Sequence, residues 1–120
     1  MPITKRNAEP LVVNLMGAFM RRTNLRRANL TRANLSKSNC SGADFTGALL
    51  RQTNLRSANL RQAILRDVDF LDADLTDADL TGADLGDAKN LTHEQIQSAI
   101  LDQTTILPVA LELLPSRWRS

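Results

Sequence analysis

The sequence predicts a solenoid that winds on a five-residue unit, and three observations predict it. Every fifth residue from Leu15 to Leu85 is apolar: of these fifteen positions eleven are Leu, two are Phe (Phe45 and Phe70), and the others are Met20 and Cys40. Two residues before each of them stands a small residue, which is Ala at ten of the fifteen positions. One residue before stands Asn seven times and Asp five times, with Phe19, Leu49 and Ile64 as the exceptions. The unit is A(N/D)LXX, in which X is mostly Arg, Ser, Thr, Gly, Gln or Asp.

Each position has a physical reason. A helix needs apolar residues at alternating spacings of three and four and a strand needs a spacing of two, so a strict five resets the frame in every unit. The small residue and the Leu are two apart, and in a short extended segment they point to the same side while the Asn or Asp between them points out. The two X residues then turn the chain, and turn-favouring residues recur there, as at Gly42, Gly47, Asp72 and Gly82. Successive coils stack about 4.8 Å apart, the spacing of strands in a sheet, and so pair the backbone. Aromatic residues are only 3% of the chain, so the interior is aliphatic, and each unit draws its stability from its neighbours.

The formal net charge of +2 conceals a separation along the chain. Between Met20 and Arg66 there are ten bases and one acid, Asp44; between Asp67 and Asp87 there are eight acids and no base. Such asymmetry points to charged contacts even where the total is near neutral.

The units Ala28-Asn29-Leu30, Ala33-Asn34-Leu35, Ala73-Asp74-Leu75, Ala78-Asp79-Leu80 and Ala83-Asp84-Leu85 resemble those of the pentapeptide-repeat family. The resemblance implies an all-β solenoid, a right-handed quadrilateral β-helix of about four coils, with four units per coil and residues twenty apart lying over one another. On that geometry Asp74 stacks on Asn54, Asp79 on Asn59, Asp84 on Ile64 and Asp69 on Leu49. The organisation expected is an N-terminal tail or cap at residues 1–12, the repeat β-helix at 13–91, and a helical cap with an apolar tail at 92–120. The segment from Asn90 to Gln95 with Thr105 to Pro108 also looks like the C-terminal end of many bacterial members, cyanobacterial ones especially.

An open β-helix leaves strand edges and a leucine-lined cross-section at each end. Thr92-His93-Glu94-Gln95 has the form of a capping box, and Ile96, Ala99 and Ile100 follow at helical spacing. A short helix from about Thr92 to Leu101 is predicted. Beyond it Ile106, Leu107, Val109, Leu111, Leu113, Leu114 and Trp118 form an apolar stretch broken by Pro108 and Pro115. That stretch folds over the last coil in a monomer, or pairs with a second copy in a tail-mediated dimer.

The sequence offers little chemistry. His93, the lone histidine, and Glu94 fall in the first turn of the predicted helix, and Cys40 stands at a buried central position without an activating base. Asp69, Asp74, Asp79 and Asp84 are five apart and diverge around the coil, so they do not gather calcium. No phosphate loop, nucleophile elbow or histidine pair appears. No enzyme activity, cofactor or metal is expected. The first ten residues show no apolar run of a signal peptide and no stretch suits a membrane span, so a cytoplasmic location without membrane contact is expected.

The function expected is therefore a non-catalytic scaffold for protein–protein interaction. Its candidate partner-binding residues are Arg21, Arg22, Arg26, Arg27, Arg51, Arg56, Arg61 and Arg66, and its partner is an acidic protein. Two alternatives are carried. The resemblance admits a DNA mimic that protects or inhibits DNA gyrase, although this chain is basic over most of its units. The basic coils also admit direct nucleic-acid binding, against which only Phe19 among the arginines offers a stacking surface.

Overall fold

The computed structural model describes residues 12–111. The expected N-terminal tail lies outside this range except for Val12, as do Leu113, Leu114 and Trp118 of the apolar tail. Parallel bridges join residues twenty apart in four columns, Asn14–Asn34–Asn54–Asp74, Phe19–Asn39–Asn59–Asp79, Asn24–Asp44–Ile64–Asp84 and Asn29–Leu49–Asp69–Lys89. The coil is four-sided, and the expected stacking of Asp74, Asp79, Asp84 and Asp69 is found. Among the described residues each face contributes one bridged residue per coil rather than a long strand. Two of every five residues form a turn, which leaves too short an extended run for more.

One unit, Ala33 to Lys37, shows how every backbone N–H is satisfied, as a buried backbone requires. Asn34 donates to Val13 in the preceding coil at 2.8 Å, while Leu35 and Lys37 donate to Asn54 and Arg56 in the following one at 2.8 and 2.9 Å. Ala33 donates across the turn to Leu30 at 2.9 Å. The fifth, Ser36 N–H, is out of reach of any neighbouring coil and donates to Asn34 Oδ1 at 3.0 Å. The Asn and Asp side chains thus do more than face water: their carbonyl or carboxylate oxygen is the missing acceptor of the turn, an Asx arrangement repeated at Asn14, Asp44, Asn59 and Asp84.

The second X residue takes positive φ in every turn, from Gly17 (69°) and Arg22 (55°) to Asp87 (60°). With an ordinary φ at the first X this is the type II pattern, which favours Gly or Asn. Here arginine, lysine and glutamine also adopt it, held there by the N–H bonds to the next coil and by the turn bond in front.

The side chains of Leu35, Phe45, Leu50, Leu65, Phe70 and Leu85 are fully buried on one axis, with Cys40 among them. The interleaved alanines from Ala33 to Ala83 are also buried, as a close approach of corner and axis demands. Where Ser38 and Thr53 replace Ala, their hydroxyls donate to Leu35 and Leu30 carbonyls at 2.7 and 2.8 Å, so neither hydroxyl is left unpaired inside.

After Lys89 the repeat ends and α1, His93–Ser98, begins. Thr92 Oγ1 accepts from Gln95 N–H while Gln95 Oε1 accepts from Thr92 N–H, which is the capping box. The helix stops three residues short of the expected Leu101, because Ile100 joins the sheet: it donates to Ala78 and accepts from Leu80 at 2.8 and 2.7 Å. Ile100 therefore points outward, half exposed, instead of continuing the apolar helix face. Ile106 pairs with Asp84 in the same way. Ile96 and Leu111 are buried against Leu91, Leu101 and Leu107, and these three pack in turn on the leucines of the coil. Gln95 Nε2 donates to the Phe70 and Ala73 carbonyls, which fastens α1 to the corner beneath it.

Candidate docking surface

The eight arginines singled out in the sequence divide into two sets. Arg51, Arg56, Arg61 and Arg66 all occupy the first X position, and each reaches diagonally to the Asp eighteen residues ahead, in the next coil. The contacts are Arg51 Nε to Asp69 at 3.3 Å, Arg56 Nη1 to Asp74 at 3.2 Å, Arg61 Nη1 to Asp79 at 3.1 Å and Arg66 Nη1 to Asp84 at 3.3 Å. Arg66 Nη2 also meets Asp87 at 2.8 Å. The last four bases of the basic run are thus paired in space with acids of the run that follows it.

Arg26 keeps the same relation with Asp44 at 3.1 Å. Arg21 finds Asn39 eighteen residues ahead, which is no counter-ion, and its Nε donates to Ser41 Oγ at 3.2 Å. Arg22 and Arg27 occupy the second X position, and no carboxylate pairs with either among the described residues. Arg22 lies over Gly42 and Arg27 over Gly47: a Cβ on these glycines would stand 3.2 and 3.4 Å from the arginine Cγ. Glycine here leaves room for the stem of the base above it.

These four N-terminal arginines sit on two neighbouring corners either side of Asn24. Phe19 lies on the adjoining face, 75% exposed. It stands where an Asn would accept the Arg21 N–H, so its presence gives up an Asx bond.

The turns and the arginines together lower the carboxyls of Asp44 and Asp74. The Asp74 carboxyl is held below its ordinary range by the Thr76 hydroxyl, then, against the opposing effect of burial, by the Thr76 N–H and Arg56. Asp44 is lowered in the same manner, first by the Thr46 hydroxyl and N–H, with Arg26 adding to them after a small opposing effect of burial. Burial pushes the Cys40 thiol up, and the Ser38 hydroxyl offsets this only in part. Asp69, Asp74, Asp79 and Asp84 lie on the four different faces. Among the described residues no group of three or more His, Cys, Asp or Glu is placed to hold a metal ion, and no helix is long and apolar enough to cross a membrane.

A shallow groove of about 480 Å³ runs between α1 and the corner at Asp72, lined by Leu71, Asp74, Asn90 and Glu94 among others. Sequence reasoning missed both the groove and the diagonal ion pairs. The pairs were signalled: Asp stands eighteen residues after Arg26, Arg51, Arg56, Arg61 and Arg66, and not after Arg21.

Comparison with known proteins agrees with this geometry. No curated protein matches the chain. A pentapeptide repeat protein from the thylakoid lumen of Arabidopsis thaliana is 24% identical, covers 85% of this chain and 70% of its own, and superposes with a TM-score of 0.65, which speaks for a shared fold. Two cyanobacterial pentapeptide repeat proteins superpose less well. One from Cyanothece 51142 is 23% identical over 79% of this chain and 88% of its own, with a TM-score of 0.36. The other is HetL of Nostoc, a protein involved in heterocyst differentiation regulation, 26% identical over 79% and 55%, with a TM-score of 0.26. The family model for Pentapeptide repeats (8 copies) matches residues 14–52 and 53–89, nearly the whole of the bridged coils. The four-sided ladder, its inward leucines and this match together establish that the chain belongs to the pentapeptide repeat family, whose fold is the right-handed quadrilateral β-helix.

Proposed function

We propose that the protein is a non-catalytic scaffold that docks an acidic protein partner on the corners carrying Arg21, Arg22, Arg26 and Arg27. One observation carries the reading: of the ten bases between Met20 and Arg66, those from Arg51 onward are matched by aspartates and Arg26 meets Asp44, whereas Arg21, Arg22, Arg27, Arg32 and Lys37 have no carboxylate partner among the described residues, and three of these five share two neighbouring corners with Arg26. Desolvating an arginine that is already paired adds little to an encounter, but an unmatched cluster steers an anionic surface towards itself. Phe19 beside the cluster supplies an aromatic anchor of the kind that carries binding energy. In this reading α1 and the chain to Leu111 form a cap over roughly four coils, which keeps the leucine axis closed while the corners do the binding.

The pairing of Asp69, Asp74, Asp79, Asp84 and Asp87 weighs against the DNA-mimic alternative, because a mimic needs its carboxylates open to the partner. Nucleic acid and acidic protein are separated by one experiment. Fluorescence anisotropy is measured at low salt with a Glu-rich peptide and with a DNA duplex, on the wild type, on an Arg21→Gln/Arg22→Gln variant and on an Arg51→Gln/Arg56→Gln/Arg61→Gln/Arg66→Gln variant. The expected outcome is that the peptide binds wild type and the quadruple variant alike and loses at least tenfold in affinity for the double variant, a loss of about 1.4 kcal/mol. Equal loss in both variants, or tighter binding of the duplex than of the peptide, overturns the reading.

A further inference from the structure

The face that carries Asn29, Leu49 and Asp69 has an unusual order of charges. On the corner before it the second X residues are Arg27, Gly47 and Asp67; on the corner after it they are Arg32, Gln52 and Asp72. All three columns therefore run from a base or amide, through a neutral residue, to an acid, at one coil or about 4.8 Å per step. Arg27, Arg32, Asp67 and Asp72 are exposed, and no ion pair claims any of them among the described residues. At the middle level stands Leu49, 37% exposed, one of the three residues that break the Asn/Asp rule.

We propose that this face binds a second copy of the chain, antiparallel, about a two-fold axis at the level of Leu49. A two-fold interface demands a patch in which residue i meets j and j meets i. Turning the face over about that level sets Arg32 against the partner's Asp72, Arg27 against the partner's Asp67, Asn29 against the partner's Asp69, and Leu49 against the partner's Leu49. The order is that of a protein interface, with an apolar centre and a charged rim. Gly47 lets the two corners approach. Arg51, which meets its own copy near the axis, is already neutralised by Asp69 at 3.3 Å. The occupant is a second copy rather than an unrelated protein because the complementarity is internal: acids lie as far below the Leu49 level as bases lie above it. The proposal goes beyond the docking of an acidic partner: it takes Arg27 from that site into the pair and leaves Arg21 and Arg22 on the open side.

The test uses the full chain and measures mass by light scattering and sedimentation over a wide range of protein concentration at low salt. Wild type should show twice the chain mass at high concentration and return to single mass in high salt. Leu49→Asn restores the repeat and gives Arg51 N–H its Asx acceptor, so the variant should melt no lower than wild type yet remain a monomer. Arg32→Asp should also remain a monomer, and so should Asp72→Arg, because each sets like charges against each other. The two variants mixed, or both substitutions in one chain, should recover the dimer. A wild type of single mass at every concentration overturns the proposal. So does a dimer that survives Leu49→Asn, which would place the contact elsewhere, or a charge swap that fails to recover association. Binding of the Glu-rich peptide by Arg21 and Arg22 is read separately and does not depend on this result.

Discussion

In the coil from Leu50 to Leu65 the central side chains are fully buried and the arginines at the corners are matched by aspartates. In the coil from Leu15 to Leu30 the same unit leaves Leu15, Met20 and Leu25 half-buried and Arg21, Arg22 and Arg27 without a carboxylate among the described residues. The units hardly differ in sequence; their neighbours differ. A coil in the middle is sealed by leucines above and below and receives acids from the coil that follows. Among the described residues the first coil has one such neighbour, and the coil that follows it offers a single acid, Asp44. The lesson is that position in the stack, rather than the unit itself, decides whether an arginine serves stability or remains open to a partner.

The sharpest way to break this comparison is to shorten the leucines. Leu65→Ala should cost about 3–5 kcal/mol in urea unfolding, as for a side chain removed from a packed interior. Leu15→Ala should cost roughly 1 kcal/mol, because less of its area leaves water on folding. Equal costs would show that the first coil is as tightly closed as the third. The Asx oxygens come next. Asn34→Ala orphans the N–H of buried Ser36, which donates to Asn34 Oδ1 at 3.0 Å, and should cost about 1–2 kcal/mol. Asn14→Ala at the rim should cost less, since water reaches Met16 N–H, and thermal melting of the two variants checks the order.

The smallest effects belong to the ion pairs. Arg56→Gln should lower stability by about 0.2–1 kcal/mol, the range of exposed pairs, whereas Arg22→Gln should leave it unchanged. Acid sharpens the contrast. Asp44 and Asp74 have lowered pKa values in the folded chain, so their contribution is present above the unfolded aspartate pKa of about 3.9 and is lost as pH falls through the lower folded value. The melting temperature of the wild type should therefore fall below about pH 4, and Asp74→Asn should fall less steeply. A parallel fall in both would remove Asp74 as a contributor.

Much of the fold was legible because the five-residue period exposes it directly: the leucine axis, the alanine positions and the turns at Gly42, Gly47 and Gly82 all stand where the repeat placed them. The role of Asn and Asp was only half legible. A polar residue facing out was expected, but the preference for these two types over Ser, Gln or Lys was itself the sign of an acceptor for the N–H two residues on. The end of α1 was misjudged since Ile96, Ala99 and Ile100 suit a helix locally, and only the open edge at Ala78 and Leu80 draws Ile100 away.

By itself the order of residues determined that the chain turns every five residues and directs Leu15 through Leu85 inward, because those choices are made within one unit by side-chain size and turn chemistry. Only the stacking of coils decided which charges meet. Arg56 and Asp74 are eighteen residues apart in the chain and 3.2 Å apart in space, and that distance is created by the backbone bonds between coils rather than by any local preference. The same stacking left Arg21, Arg22 and Arg27 unmatched, since charge neutralisation depends on what the next coil brings to the corner.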